Sequence, residues 1–317
     1  MNQLLFRWIG VLRCPSCGGK LDLKNAITAP FLNLNCCECH ARYGIADGIP
    51  RLLFPGRENE IEIFCATYDA LRLQEGWASD SSEFYQHLPF RDLSGRHPRE
   101  WALRARSFQF LQSWLEKNFG RQSRRILDIG AGSGWMSRQL AGRHDVLAID
   151  VNAGPHGLAA LPIAQRQFMS VQAELESLPL ASNSFDVAVA NASLHYTQNL
   201  KQFFEKISRV LRPGGKLIVM DSPTYPTRDA ALAAHERTQA YYARMGVPEL
   251  AQNYSGLLDK IFSEQENFRF TRVRHDFNRS LSLKKWLLEK MRKPAAARFP
   301  FWIGERLRLP EEECRIF

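Results

Sequence analysis

Ile126-Leu127-Asp128-Ile129-Gly130-Ala131-Gly132-Ser133-Gly134 decides how this chain is read. An apolar run enters a glycine turn, a helix-forming stretch follows, and a second apolar run, Val146-Leu147-Ala148-Ile149, ends in Asp150. That order is the frame of a nucleoside-binding strand–helix–strand crossover. Glycines at 130, 132 and 134 remove side chains where backbone must pass close to a ligand. Asp150 closes the second strand, where a carboxylate can accept hydrogen bonds from both hydroxyls of a ribose.

The glycine spacing separates classes of nucleoside ligand. A dinucleotide site uses G-x-G-x-x-G, with the third glycine where the helix hugs the strand. Trp135 occupies that position here and would obstruct such packing around a pyrophosphate. G-x-G-x-G preceded by Asp128 suits a ligand without phosphate but with an amino acid tail, a description that S-adenosylmethionine fits. The alternative is a glycine-rich turn in some other α/β protein.

Three further segments follow in the expected order. Ala173-Glu174-Leu175-Glu176-Ser177-Leu178-Pro179-Leu180 comes after a short apolar strand, and Ser184 to Asn191 is a buried-strand pattern ending in a polar residue. Apolar residues at 200, 203, 204, 207, 210 and 211 form a helical stripe. Arg212-Pro213-Gly214-Gly215 is expected to stop that helix, with a strand resuming from Lys216 to Met220. Strands alternating with helices predict an α/β fold whose parallel sheet binds ligands at the carboxyl ends of its strands.

With these pieces in place, residues 124 to 221 resemble the core of a class I S-adenosylmethionine-dependent methyltransferase, of the type 11 group that includes the ubiquinone-biosynthesis enzymes. The resemblance implies a seven-stranded Rossmann-like sheet with helices on both faces. It implies that Gly130, Ala131, Gly132 and Gly134 line the methionine moiety, and that Asp128 orients its ammonium group. Asp150 would hold the ribose, with Val151 or Asn152 beside the adenine. The family places Asp-Ala-Glu-x-Leu-Pro after the third strand; here Ala173, Glu174 and Leu175 stand there, and Glu174 replaces the acid that accepts from the adenine amino group. Asn191, Ala192 and Leu194 would floor the site near the sulfonium. For Asn191 and Glu174, capping of a helix or turn is the competing structural reading.

The front of the chain reads as a separate module. Cys14-Pro15-Ser16-Cys17 and Cys36-Cys37-Glu38-Cys39 give two C-x2-C pairs at the spacing of a zinc ribbon. Cys14, Cys17, Cys36 and Cys39 would complete a structural Zn2+ site. Cys37 and His40 offer a competing pair at the same spacing. The run from Ala46 to Leu53 gives the module a resemblance to the small zinc domain of the activator subunit of tRNA methyltransferases, fused here to the enzyme. A ribbon this small has little core and relies on its metal.

Length suits this partition: residues 1–56 as ribbon, 57–118 as a helical linker or lid, and 119–317 as the methyltransferase domain with a helical insertion near 226–265. No apolar run approaches the roughly 20 residues of a membrane span, no secretory signal precedes the cysteines, and the expected location is cytoplasmic. Tyr68, Arg72, Trp77, Tyr85 and Arg104 are candidate lid residues, each with ordinary packing as its alternative. Helices are expected at Arg228–Met245 and Ala251–Phe262, then two strand-like segments at Phe268–Phe277 and Phe299–Leu307 flanking a basic amphipathic insert at Leu281–Lys293. Tyr225, His235, Arg237, Tyr241 and Tyr242 could face the acceptor.

Net charge is +9, concentrated in residues 91–125 (nine Lys or Arg against three acids) and 268–310 (twelve against three). An anionic or carrier-linked small-molecule acceptor would explain this, as would RNA, whose phosphates attract basic side chains without sequence reading; a solvated basic surface is the plain alternative. No aromatic–basic RNA-binding motif is present, which favours the small-molecule acceptor. RNA base methylation and a non-catalytic cofactor-binding module stand as the other readings, and the oligomeric state is left open. For a nucleophile that needs a base, His195 is the first candidate, with a side chain suited to neutral pH, and Tyr196 the second. His195 packing at a helix start is the alternative.

Overall fold

The structure, a computed structural model, describes residues 3–23, 33–273 and 297–308. The chain opens with α1 (Gln3–Trp8), then four short strands, β1 (Leu21–Asp22), β2 (Asn33–Cys36), β3 (Arg42–Ala46) and β4 (Ile49–Pro50), which pair in that order as an antiparallel sheet. Three helices follow: α2 (Glu58–Glu75), α3 (Ser82–His87) and α4 (Pro98–Phe119). Pro98, expected to break a helix, starts α4, where its missing N–H costs nothing.

The main body is β5 (Arg125–Ile129), α5 (Trp135–Leu140), β6 (Asp145–Asp150), β7 (Met169–Gln172), β8 (Phe185–Asn191), α6 (Leu200–Val210) and β9 (Leu211–Met220). A short parallel pair, β10 (Thr224–Tyr225) with β11 (Leu257–Leu258), flanks α7 (Arg228–Arg244), and the chain returns through β12 (Phe268–Val273) and β13 (Phe301–Arg306). The large sheet has seven strands in the order β12-β13-β9-β8-β5-β6-β7. Only β13 runs antiparallel to its neighbours. This is the seven-stranded Rossmann-like sheet expected from the sequence.

Each face of the sheet has its own core. Leu127, Ile129, Leu147 and Ile149 pack on one side with α6 and α1, and Ile126, Val146, Val187 and Ile218 on the other with α4 and α5. The helix α6 is fixed at its start by Asn199, whose side chain accepts from the Gln202 N–H at 3.0 Å. It buries Phe203, Phe204, Ile207 and Val210, each contributing about 1.5–3 kcal/mol.

The amino-terminal ribbon is not an appendage. Leu5, Trp8 and Leu12 belong to the core of the first face, with Trp8 stacked on Phe185 at 5.8 Å. The Leu52 N–H donates to the Gln172 carbonyl at 2.8 Å, and Arg51 bridges Gln172 in parallel, so the chain leaving the ribbon covers the exposed edge of β7.

Two expectations need correction. The helix α6 ends at Leu211, which already pairs with Phe185, and Arg212 to Gly215 bulge within β9 before Lys216 pairs with Val187. No α-helix spans Ala251–Phe262: a 3-10 turn at Pro248–Asn253, β11 and a second 3-10 turn at Asp259–Phe262 stand there. Gly256 presses against Ala231, whose carbonyl oxygen would lie 2.4 Å from any Cβ at that position. The strand starting at Phe268 is described as far as Val273, and the insert at Leu281–Lys293 lies outside the described residues.

Candidate active site

The parallel strands end on one edge, and the chain there takes conformations that carve out a cleft. Gly130 and Gly132 have φ of +65° and +53°. At Gly130 a Cβ would lie 2.5 Å from the Cβ of Ser193, whereas at Gly132 nothing lies within 4 Å, so its bare face opens to the cleft. Ala192 and Asp221, which follow the ends of β8 and β9, also have positive φ, 51° and 56°. Left-handed non-glycine residues of this kind gather at functional sites.

Two cavities meet at Tyr68, Gly130, Gly132, His156, Ala192 and Tyr196. The first, about 470 Å³, is bounded by Asp150, Val151, Asn152, Glu174, Leu175, Ile61 and Phe64. The second, about 400 Å³, is bounded by Asp128, Ala131, Asn191, His195, Asp221, Arg72 and Arg104, with Trp77, Trp101 and Trp135 as aromatic walls. Trp135 earns its place in the sequence by packing edge-on against Trp101 and Phe108 of α4, with centroids at 6.2 and 5.6 Å.

In the first cavity, Asp150 accepts from the Asn152 N–H at 2.8 Å and the Gly132 N–H at 2.8 Å, one to each oxygen. Each oxygen keeps a lone pair. Burial raises the Asp150 carboxyl above its ordinary range. Asp69 of α2 accepts from Asn152 at 2.6 Å, and Gln172 donates to the Val151 carbonyl at 2.7 Å, which fixes the chain after Asp150. Glu174 is gripped through one oxygen by Arg57, at 2.8 and 3.1 Å. That engagement explains how the longer acid is accommodated and leaves its second oxygen for a ligand. Ala173 is fully buried beneath the cleft, its amide on the Asp150 carbonyl at 3.0 Å.

In the second cavity, Asp128 is buried and accepts from Ser137 at 2.7 Å; burial pushes its carboxyl up to about 7. A neighbouring ammonium group would restore its charge. Gly134 caps α5 without reaching either cavity, and Leu194 is buried in the core rather than flooring the site. The side-chain oxygen Oδ1 of Asn191 has no partner among the described residues.

His195 lies where expected, but its chemistry differs from the expectation. Burial, then the charges of Arg104 and Arg72, push its pKa down to about 3. It is a neutral imidazole at physiological pH and a weak proton acceptor. Tyr196 is half-buried where the cavities meet, and burial raises its hydroxyl. The residue that sequence reasoning passed over is Asp221. Ser107 of α4 donates to its Oδ1 at 2.6 Å, while its Oδ2 is buried and without a partner among the described residues. Burial pushes it up to about 6, with Arg104 pulling the other way. An acid one step past a strand end was the available signal, the same signal that picked out Asp150.

All five candidate lid residues border the second cavity, and α2 roofs both. By contrast, Tyr225, Arg237, Tyr241 and Tyr242 border a separate groove behind Tyr196, of about 260 Å³, and His235 a neighbouring surface hollow.

The four cysteine sulfurs Cys14, Cys17, Cys36 and Cys39 lie within 4.8 Å of one another, with Cys14–Cys39 at 3.6 Å and Cys17–Cys36 at 3.4 Å. Tetrahedral coordination at a Zn–S distance of about 2.3 Å sets sulfurs roughly 3.8 Å apart, so the donor set fits zinc. Backbone N–H groups of Gly19 and Glu38 point at Cys17 and Cys36, both at 3.4 Å, as thiolates require. The competing pair Cys37 and His40 is not part of the cluster.

Residues 127–219 match the family described as "Methyltransferase domain". The chain therefore carries a methyltransferase domain, centred on the glycine loop and the strands that flank it. It is 36% identical over 96 residues to the uncharacterized protein YafE of Escherichia coli, covering 29% of this chain and 46% of that one. It is 32% identical over 96 residues to a malonyl-[acyl-carrier protein] O-methyltransferase of Hahella chejuensis, covering 29% of this chain and 34% of that one. The chain thus spans less than half the length of these curated relatives. Among solved structures, the YcgJ protein of Bacillus subtilis aligns over 63% of this chain and 99% of its own, with 16% identity and a TM-score of 0.46. No helix among the described residues is long and apolar enough to cross a membrane.

Proposed function

We propose that this protein transfers the methyl group of S-adenosylmethionine to a small-molecule or carrier-linked acceptor. The observation that carries the proposal is the pair of joined cavities. One offers the Asp150 carboxylate and a slot beside Val151 and Leu175, suited to a nucleoside; the other offers Asp128 and Asn191 for an ammonium group, then an aromatic chamber. Relatives named as malonyl-[acyl-carrier protein] O-methyltransferases support an acceptor of this class. When bound, the cofactor supplies a methyl group on a cationic sulfur, which departs in line toward a nucleophile.

The protein's part is to align that line of attack, an effect worth up to roughly 7–11 kcal/mol, and to take a proton. Asp221 is the group suited to the second task. Asp221 borders the acceptor chamber, its Oδ2 is without a partner among the described residues, and a carboxyl held near 6 is ionised at pH 7.5 yet far more basic than an exposed aspartate. Methyl transfer should therefore rise with pH through about 6 and level off above it. Asp221→Asn should lower turnover by about 10²–10⁴-fold and remove that limb, while His195→Phe should leave the limb in place. An unchanged pH profile in Asp221→Asn would rule out Asp221.

We further propose that the cysteine cluster holds one structural zinc ion, which ties the ribbon to the edge of the sheet.

The direct experiment uses S-adenosylmethionine with a labelled methyl group, offered with three acceptor pools: low-mass metabolites, acylated carrier protein and RNA. Label in either of the first two is the expected result. Label in RNA alone would overturn the acceptor class, and binding of cofactor with no label in any pool would identify a non-catalytic binding module.

A further inference from the structure

The acceptor chamber contains two guanidinium groups in different situations. Arg72 is committed: it pairs with Glu75 at 2.5 Å and donates to the Tyr196 and Tyr242 hydroxyls at 3.2 and 3.4 Å. Arg104 is not. Its guanidinium lies between the rings of Trp77 and Trp101, at 4.6 and 4.7 Å from their centroids, and among the described residues it forms no ion pair and no hydrogen bond. Two indole faces hold a cation in place through its flat sides while leaving its N–H edge open.

The surroundings point the same way. Burial lowers the pKa of Arg104, with the charge of Arg72 adding to that and the Asp221 carboxylate acting against it without reaching it as an ion pair. The same two arginines add to the burial that holds His195 neutral. The indole N–H of Trp101 is buried without an acceptor among the described residues. Between its aromatic walls the chamber therefore holds one guanidinium outside any ion pair and one unmet indole donor. A cation flanked by indole faces, with its nearest carboxylate outside ion-pair reach, is completed by an anionic ligand on its open edge.

From this juxtaposition we infer that the methyl acceptor is a compact planar molecule bearing an anionic oxygen group, a carboxylate or a phosphate, which seats on the open edge of Arg104 between Trp77 and Trp101. This inference rests on the methyltransferase reading and adds the charge and shape of the substrate to it. The anion anchors one end of the acceptor. Its nucleophilic atom then faces the waist at Gly130 and Ala192, and the proton it loses passes to Asp221.

The test uses defined probes and the full-length protein saturated with S-adenosylhomocysteine. Calorimetry should detect benzoate or phenyl phosphate, with the neutral isostere benzamide at least ten-fold weaker than the better of the two; the tighter of the anions names the group. Arg104→Gln should weaken that anion at least ten-fold while leaving S-adenosylhomocysteine affinity within about three-fold, and Arg104→Lys should recover part of the loss. Benzamide binding as well as the anions, or neither anion binding, would overturn the inference using the unaltered protein alone. A ten-fold loss of S-adenosylhomocysteine affinity in Arg104→Gln would also overturn it, by assigning the guanidinium to the cofactor's own carboxylate. Failure of the unaltered protein to bind S-adenosylhomocysteine would be a different result, refuting the methyltransferase reading itself.

Discussion

Asp150→Ala is expected to abolish measurable binding of S-adenosylhomocysteine, with an affinity loss of at least 100-fold, while leaving the protein folded. The carboxylate has a lone pair free on each oxygen for a ribose hydroxyl, and a hydrogen bond to a charged group is worth about 1.5–3 kcal/mol. Two such bonds correspond to a factor of roughly 10²–10⁴. The variant also frees the N–H groups of Gly132 and Asn152, which loosens the turn that forms the waist between the cavities. Stability should change little, because the substitution removes a buried carboxylate whose burial opposes its charge. Calorimetry for binding and a thermal melt for folding separate the two effects. Retention of affinity within ten-fold would show that the nucleoside does not sit at Asp150.

The second large effect is expected from Cys14→Ser combined with Cys36→Ser. One zinc per chain should fall to none by metal analysis, and the melting temperature should drop by on the order of 10 °C, corresponding to about 4 kcal/mol. A free ribbon would lose only itself. Here Leu5, Trp8, Leu12, Cys14 and Cys36 share one core with Leu127, Ile149 and Phe185, so losing the metal opens a face of the main sheet. Unaltered zinc content in the double variant would refute the four-cysteine site.

These two expectations mark what the sequence conveyed well. The glycine loop, Asp150 and the cysteine pairs depend on local chain geometry, and local geometry is written in short motifs with characteristic spacing. The order of strands around β5 followed for the same reason, since each crossover is local and right-handed. What was not legible depends on contacts far apart in the chain. Asp221 became interesting only when Ser107, 114 positions earlier, was seen to hold one oxygen and leave the other free. Arg104 reads as one of five lid candidates, with nothing to single it out, until Trp77 and Trp101 close on it. The depressed His195 is a further case: a histidine beside a catalytic loop suggests a base, and its burial, with two arginines placed around it in space, reverses that. The helix expected at Ala251–Phe262 is absent for the same kind of reason, as Gly256 presses against the backbone of Ala231, 25 positions earlier.

The helix α2 touches both cavities, through Ile61 and Phe64 at one end, Tyr68 at the waist and Arg72 at the other. It is moored to the sheet by Arg57 on Glu174, Asp69 on Asn152 and Arg72 on Tyr196. Exchange of a ligand in either chamber thus draws on the same three moorings, and the two occupancies become kinetically linked. Steady-state measurements should therefore show that filling one chamber slows exchange of the ligand in the other.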